Sequence, residues 1–111
     1  MEINTREEGD VTIITVDGNL LGDSSNRLMN ELMKCVSNKK RKLLINLSGT
    51  SQMDSYSIGV LASTGSELEK IGGTLKFAEL QPFIENIFEM MRMKSIFEIY
   101  DTESEALESF S

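Results

Sequence analysis

One carboxylate and two serine hydroxyls stand close together in the stretch QMDSYSIG, residues 52–59. They follow an apolar segment and precede a helical pattern, so Ser55 would lie beside the free backbone N–H groups of a helix start. A phosphate on that hydroxyl would be held by the same N–H groups and would add a charge of about −2. Asp54 and Ser55 are also common as plain helix caps. Local chemistry leaves both uses open.

The composition excludes most kinds of catalytic and metal site. The chain has no histidine and a single cysteine, Cys35, which rules out a Ser-His-Asp triad, a Cys-His pair, a His-ligated zinc site and an internal disulfide. No motif places a base or a nucleophile beside Asp54, which argues against Asp54 as a catalytic acid. We therefore expect a protein that is not an enzyme and that holds no metal and no cofactor.

Charge and hydropathy bear on partners and location. A net charge of −7 over 111 residues argues against nucleic acid and against acidic membranes as partners. The N-terminal sequence MEINTREEGD has no apolar core of the kind a signal peptide needs. No apolar run approaches the roughly 20 residues that span a bilayer. We expect one cytoplasmic domain over residues 1–111, without membrane insertion.

The elements that would position the octapeptide alternate between strand and helix. Residues 10–17, DVTIITVD, predict a strand, with residues 3–6 as the other arm of a hairpin. The next helix, running to about Ser37, is expected to take its cap from Asp23, Ser24 or Ser25. Residues 43–47, LLINL, show almost no alternation, which indicates a strand covered on both faces.

The second half of the chain continues this alternation. A helix is predicted over residues 56–71, ended by Gly72-Gly73, and a strand over residues 74–80. Pro82 suits the first turn of the next helix, and Thr102 with Glu105 forms a capping box for the last one. A strand is predicted between them at residues 96–100. We expect the apolar stripe of the Pro82 helix to lie in the core; it contains Phe83, Ile84, Ile87, Phe88 and Met91. Met93, further along the chain, is expected to be exposed.

This order predicts an α/β fold. A hairpin followed by alternating helices and strands gives a single domain with a mostly parallel, mixed sheet of about five strands and about four helices. Ligand and partner sites in such folds lie at the carboxyl ends of the strands. The octapeptide follows LLINL and is therefore expected at that edge of the sheet.

A helical wheel drawn from Ile58 divides the octapeptide's helix into two sides. Ile58, Leu61, Ala62, Gly65 and Leu68 should face the sheet. The opposite side, expected to face solvent and to offer a docking surface, contains Tyr56, Val60, Ser63 and Glu67.

The longer segment LINLSGTSQMDSYSIGVLAS, followed by IGGTLKFAEL, resembles the STAS domain of bacterial anti-sigma factor antagonists. The resemblance extends to DGNL near Gly18 and to the length and element order, so it covers nearly the whole chain. The residues that match the family's motif are Met53, Asp54, Ser55, Ile58, Gly59, Gly72 and Gly73.

The resemblance implies a partner-switching function. Ser55 would be phosphorylated by a serine kinase that is also the anti-sigma factor. The unphosphorylated chain would bind that kinase as a monomer and free the sigma factor, phosphorylation would abolish binding, and a serine phosphatase would restore it. The partner-binding residues implied are Met53, Asp54, Tyr56, Ser57, Val60 and Ser63.

Three positions depart from the family's pattern. Tyr56 stands where the family has Ser or Thr, Ser57 where it has Gly, and Leu21 where it commonly has an acid, with Asp23 two residues on. The leading interpretation is the switched antagonist, but these departures favour, more than a standard match would, an alternative: a STAS module that is not phosphorylated and that acts as a scaffold or as the regulatory subunit of a membrane transporter. A small enzyme that uses Asp54 or Ser55 is a further alternative. A receiver domain needs an acidic pair after the first strand and a lysine after a late strand. This chain has Gly-Asn after Asp17 and no suitably placed lysine, so a receiver domain is excluded.

Overall fold

A computed structural model describes residues 1–111, and it confirms the α/β architecture and the predicted order of elements. The elements are β1 Glu2–Glu8, β2 Val11–Asp17, α1 Asp23–Ser37, β3 Lys42–Gly49, α2 Ser55–Lys70, β4 Thr74–Ala78, α3 Pro82–Met90, a 3-10 helix Met93–Ser95, β5 Ile99–Tyr100 and α4 Glu103–Ser109. The strands form one sheet in the order β1-β2-β3-β4-β5; β1 runs antiparallel to β2 and the other neighbours are parallel.

The central strand β3 is buried on both faces, as its continuous apolar run predicts. Leu43, Ile45 and Leu47 pack into a large core beneath α1, α2 and α3, whereas Leu44 packs on the other face beneath α4. The hairpin of β1 and β2 turns at Gly9, whose φ of 61° is readily adopted only by glycine. The large core thus fixes α1 and α2 side by side on one face of the sheet, and each helix begins after the loop at the carboxyl end of β2 or β3.

Helix α2 is buried on two sides, which corrects one prediction from the helical wheel. Ile58 and Leu61 face the sheet, as expected. Val60 is only 9% exposed, so the prediction that it faces solvent is wrong. A helical wheel takes account of the sheet alone. In the structure α2 also packs against α1, and this contact buries the side of α2 that carries Ser57 and Thr64.

The start of α1 and the segment after α3 also differ from prediction. Gly22, not a side chain of residues 23–25, occupies the N-cap of α1. Arg92 adopts a left-handed conformation with φ 57°, and the 3-10 helix that follows places Met93 in the core. The expected exposure of Met93 is therefore wrong, and so is the expected burial of Phe83 and Met91, which are 56% and 49% exposed.

Strand β5 is shorter than predicted because the 3-10 helix takes up the preceding backbone. The N–H groups of Ile96 and Phe97 both donate to the carbonyl of Met93, so only residues 99 and 100 join the ladder. Phe97 instead packs against Phe77, with ring centroids 5.1 Å apart. It also lies so close to Gly65 of α2 that a Cβ there would sit 2.2 Å from its ring.

None of the helices is both long enough and apolar enough to cross a membrane.

Candidate functional site

Two loops meet at the carboxyl end of the sheet and carry the octapeptide. The loop after β2 and the loop after β3 run together as short parallel strands would, with a bridge between Leu20 and Met53. The Leu20 N–H donates to the Gln52 carbonyl (3.0 Å), and the Asp54 N–H donates to the Leu20 carbonyl (3.2 Å). The side-chain oxygen of Asn19 accepts from the N–H groups of Ser51 and Gln52. These bonds hold Asp54 and the start of α2 in a fixed place beside α1.

Asp54 is the N-cap of α2 and joins the two helix starts. Its Oδ1 accepts from the Ser57 N–H at 2.8 Å, and its Oδ2 accepts from the Gly22 N–H at 2.9 Å. Hydrogen bonds from the Ser57 hydroxyl, the Ser57 N–H and the Gly22 N–H, in that order, lower the pKa of the carboxyl from its ordinary value of 3.8. Asp54 forms no ion pair with a lysine or arginine, so neutral donors alone stabilise its charge.

A buried pair of hydroxyls lies directly beneath Asp54. Ser57 Oγ is 2.7 Å from Asp54 Oδ1, 2.6 Å from the Leu20 carbonyl oxygen and 2.6 Å from Ser25 Oγ. Ser25 and Ser57 are each 1% exposed. A hydroxyl has one proton, so the two protons of the pair are shared among these acceptors and the Gly22 carbonyl. The pair fastens α1 to α2 across 32 residues of sequence.

Ser55 contrasts with Ser57. It is the first residue of α2, it is exposed, and its hydroxyl makes no hydrogen bond within the chain. The sequence predicts that Ser55 lies just ahead of the first turn, whereas in the structure it is one position further on, inside the helix. Its Oγ is therefore free to react or to be contacted, and it lies at the positive end of the α2 dipole.

Tyr56 lies beside Ser55 and reaches toward α1. Its side chain is 52% exposed, as predicted, and its hydroxyl donates to the side-chain oxygen of Asn26 at 2.7 Å. Leu21, on the neighbouring loop, is 44% exposed. Ser63, two turns along α2, is exposed as well.

The predicted partner-binding residues thus divide into two groups. Tyr56 and Ser63 are exposed and Asp54 is half-buried at the surface. Met53, Ser57 and Val60 are at most 9% exposed and lie beneath that surface, so in this structure they support the site without adding exposed area to it.

Sequence reasoning missed the residues that tie the site to the first loop and to α1. The sequence predicts only a helix cap for Ser25 and no role for Asn19 or Asn26, yet all three bond to residues of the octapeptide or the loop before it. The DGNL segment carried the only signal for Asn19. No group of three or more Cys, Asp or Glu side chains is placed to hold a metal ion.

A model of the STAS domain family matches residues 2–106 of the chain. A protein of Thermotoga neapolitana, provisionally named an anti-sigma factor antagonist, is 33% identical over 67 residues, which are 60% of this chain and 59% of that protein. The match therefore spans less than two thirds of that relative's length.

Two solved structures share the fold. A crystal structure of a Thermotoga maritima protein with the same provisional name has a TM-score of 0.91 at 22% identity and covers 96% of this chain and 92% of that one. The phosphorylated form of the Bacillus cell fate determinant SpoIIAA has a TM-score of 0.77 at 17% identity, with 99% and 100% covered. At such identities the likeness concerns the fold alone.

Proposed function

Since the chain belongs to the STAS domain family, we propose that it is an anti-sigma factor antagonist whose partner binding is switched by phosphorylation of Ser55. The unphosphorylated chain binds an anti-sigma factor that is also a serine kinase, as a monomer in the cytoplasm, and so frees the sigma factor. Phosphorylation of Ser55 ends the binding and a serine phosphatase restores it. The name carried by the Thermotoga neapolitana relative supports the antagonist part of this proposal.

The observation that carries the switch is the free hydroxyl of Ser55 on a rigid support. Asp54 caps the helix through the Ser57 N–H, so the fold makes no use of the Ser55 hydroxyl. In the transfer, an O–P bond forms at Ser55 Oγ as the bond between the γ-phosphorus of ATP and its bridging oxygen breaks. ADP leaves and the hydroxyl proton is released. Hydrolysis by the phosphatase returns the serine and inorganic phosphate.

Phosphorylation would act on the partner and leave the fold intact. The phosphate adds a charge of about −2 at an exposed helix start, where backbone N–H groups tolerate it. Inside a protein interface the same charge would be desolvated without a partner, which costs several kcal/mol. A penalty of that size is enough to exchange one partner for another.

The first test is capture from an extract of the native organism. Immobilised wild type is compared with Ser55→Asp, and the retained proteins are identified by mass spectrometry. Ser104→Asp is the matched control, because it adds the same charge at an exposed helix start on the other face of the sheet. Wild type and Ser104→Asp should retain an ATP-binding serine kinase that Ser55→Asp loses. Equal retention by all three would overturn the switch.

A second candidate function rests on Tyr56, whose half-exposed ring stands directly beside Ser55. If that ring keeps kinases away, the chain is a STAS module that is not phosphorylated and serves as a scaffold or as a transporter's regulatory subunit. Incubation of the chain with extract and ATP, followed by phosphosite mapping, separates the two. Phosphate on Ser55, absent from Ser55→Ala, supports the switch. No phosphate together with retained scaffold or transporter components supports the second function.

A further inference from the structure

Gly59 is a glycine that the fold does not require. Each of the other seven glycines has either a positive φ or a backbone so crowded that an added Cβ would lie 2.9 Å or less from a neighbouring atom. Gly59 has neither: it lies inside α2, and a Cβ there would meet no atom within 4 Å. The seven with a structural reason are Gly9, Gly18, Gly22, Gly49, Gly65, Gly72 and Gly73.

A glycine in this position has a cost. An exposed glycine inside a helix destabilises it relative to alanine, because the unfolded chain gains conformational freedom. Gly59 is exposed and lies one turn after Ser55, on the same side of α2. The packing of this chain therefore gives no reason for the missing side chain.

The part of α2 that surrounds Gly59 also carries no charged side chain; the charge that precedes it in the chain is that of the cap, Asp54. Charged residues make up 26% of the chain, yet none occurs over residues 55–66, the first three turns of α2. Interface cores are depleted of charged residues in the same way, because a charge buried there loses its water. The exposed residues of this uncharged face are Ser55, Tyr56, Gly59, Ser63 and Ser66.

We propose that Gly59 is the point of closest approach between α2 and the anti-sigma factor kinase, where an uncharged part of that partner packs directly on the helix backbone. This inference rests on the proposed function and names the residue that sets the fit. A methyl group at Gly59 would hold the partner away from α2. A phosphate on Ser55, one turn away, would enter the same uncharged contact, which accounts for release without any change in the fold.

The test is Gly59→Ala, with Ser104→Ala as the control at an exposed position of α4, on the other face of the sheet. Urea unfolding is measured for both, and retention of the serine kinase from native extract is measured by quantitative mass spectrometry. Gly59→Ala should have a higher urea midpoint than wild type. It should retain at most about one tenth as much kinase as wild type, as expected when an added methyl group overpacks a contact. Ser104→Ala should retain the kinase within about twofold of wild type.

The outcomes separate this inference from the function on which it rests. A lower urea midpoint for Gly59→Ala would mean that the fold itself needs the glycine, and full kinase retention would mean that no close approach occurs. Either result overturns the inference and leaves the proposed function standing. Failure of wild type to retain any serine kinase overturns both.

Discussion

At the scale of single residues, two serines two positions apart have opposite surroundings. Ser57 is buried, and its hydroxyl lies within hydrogen-bonding distance of Asp54, Leu20 and Ser25. Ser55 is exposed and its hydroxyl is unengaged. The structural role of the octapeptide therefore falls on Asp54 and Ser57, which leaves Ser55 available for modification.

This division predicts different effects of removing each hydroxyl. Ser57→Ala should lower the free energy of unfolding by about 1–3 kcal/mol, because it deprives buried groups of a hydrogen-bonding partner. Ser55→Ala should change it by no more than about 0.5 kcal/mol, as for other exposed positions. Urea unfolding of the two variants measures both values. A large loss for Ser55→Ala would mean that the Ser55 hydroxyl supports the fold after all.

The lowered pKa of Asp54 predicts a pH-dependent effect of Asp54→Asn. A carboxyl whose pKa is lower in the folded state stabilises the fold above its unfolded pKa, ordinarily 3.8, and loses this effect as the pH falls through the folded value. Asp54→Asn should therefore be less stable than wild type at pH 7, and the difference should shrink below about pH 4. Urea midpoints of both proteins across this range provide the measurement. A difference that stays constant with pH would contradict the assignment.

The site could be predicted from the sequence only in part. Asp followed by Ser before a helical pattern predicted the cap, and Asp54 is that cap. The burial of Ser57 and Val60 could not be foreseen from a wheel, because it depends on how α1 lies against α2. The Ser25–Ser57 pair joins segments 32 residues apart, and no local pattern encodes such a contact.

At the scale of elements, α2 is positioned by a close contact at Gly65. A Cβ at this glycine would lie 2.2 Å from the Phe97 ring, which also packs edge-on against Phe77. Gly65→Ala should therefore destabilise the protein by about 1–3 kcal/mol. Gly59→Ala, on the same helix but in open space, should instead stabilise it by about 0.5–1 kcal/mol. Equal shifts for the two alanines in thermal unfolding would show that Phe97 moves aside at no cost.

Lys76 ties the C-terminal end of helix α4 to the sheet. This lysine is 6% exposed; its Nζ donates to Ser109 Oγ at 2.8 Å and lies 4.5 Å from the Phe110 ring centroid. Glu103, at the other end of α4, pairs with Arg6 of β1. The bonds of Lys76 lie at the C-terminal end of the helix, where a cation also suits its dipole.

Lys76→Met should therefore loosen α4 without affecting the site. The amide protons of residues 106–110 should exchange with solvent about tenfold faster, because the two hydrogen bonds to Ser109 and the cation–π contact with Phe110 together contribute on the order of 1–2 kcal/mol. Amides in α2 should be unchanged. The control is Lys70→Met, which makes the same replacement at an exposed lysine of α2 and should leave exchange in α4 unchanged. Unchanged exchange in α4 would mean that its apolar contacts alone hold it.

The limits of the sequence at this scale lie in the segment after α3. Pro82 correctly marked the start of α3, and Thr102 caps α4 as predicted. The left-handed turn at Arg92 was not signalled, since glycine or asparagine is the usual residue in that conformation. This one turn reversed the predictions for Met93 and shortened β5.

At the scale of the whole molecule, the parallel sheet brings the two site loops together. The alternation of strands and helices predicted this arrangement, because the carboxyl ends of neighbouring parallel strands meet at one edge. The chain carries a net charge of −7, yet the face beside Ser55 is uncharged over three helical turns. A phosphate on Ser55 would place a charge of about −2 on this face, which is a larger relative change than it makes to the net charge of the molecule.

We propose that a phosphate on Ser55 ends binding to a serine kinase. The most direct measurement uses the chain with phosphoserine incorporated at position 55 during synthesis, immobilised beside the unmodified chain in extract of the native organism. The unmodified chain should retain the kinase, and the phosphorylated chain should retain about a hundredfold less, as a penalty of a few kcal/mol requires. Equal retention of the same kinase by both chains would contradict the claim.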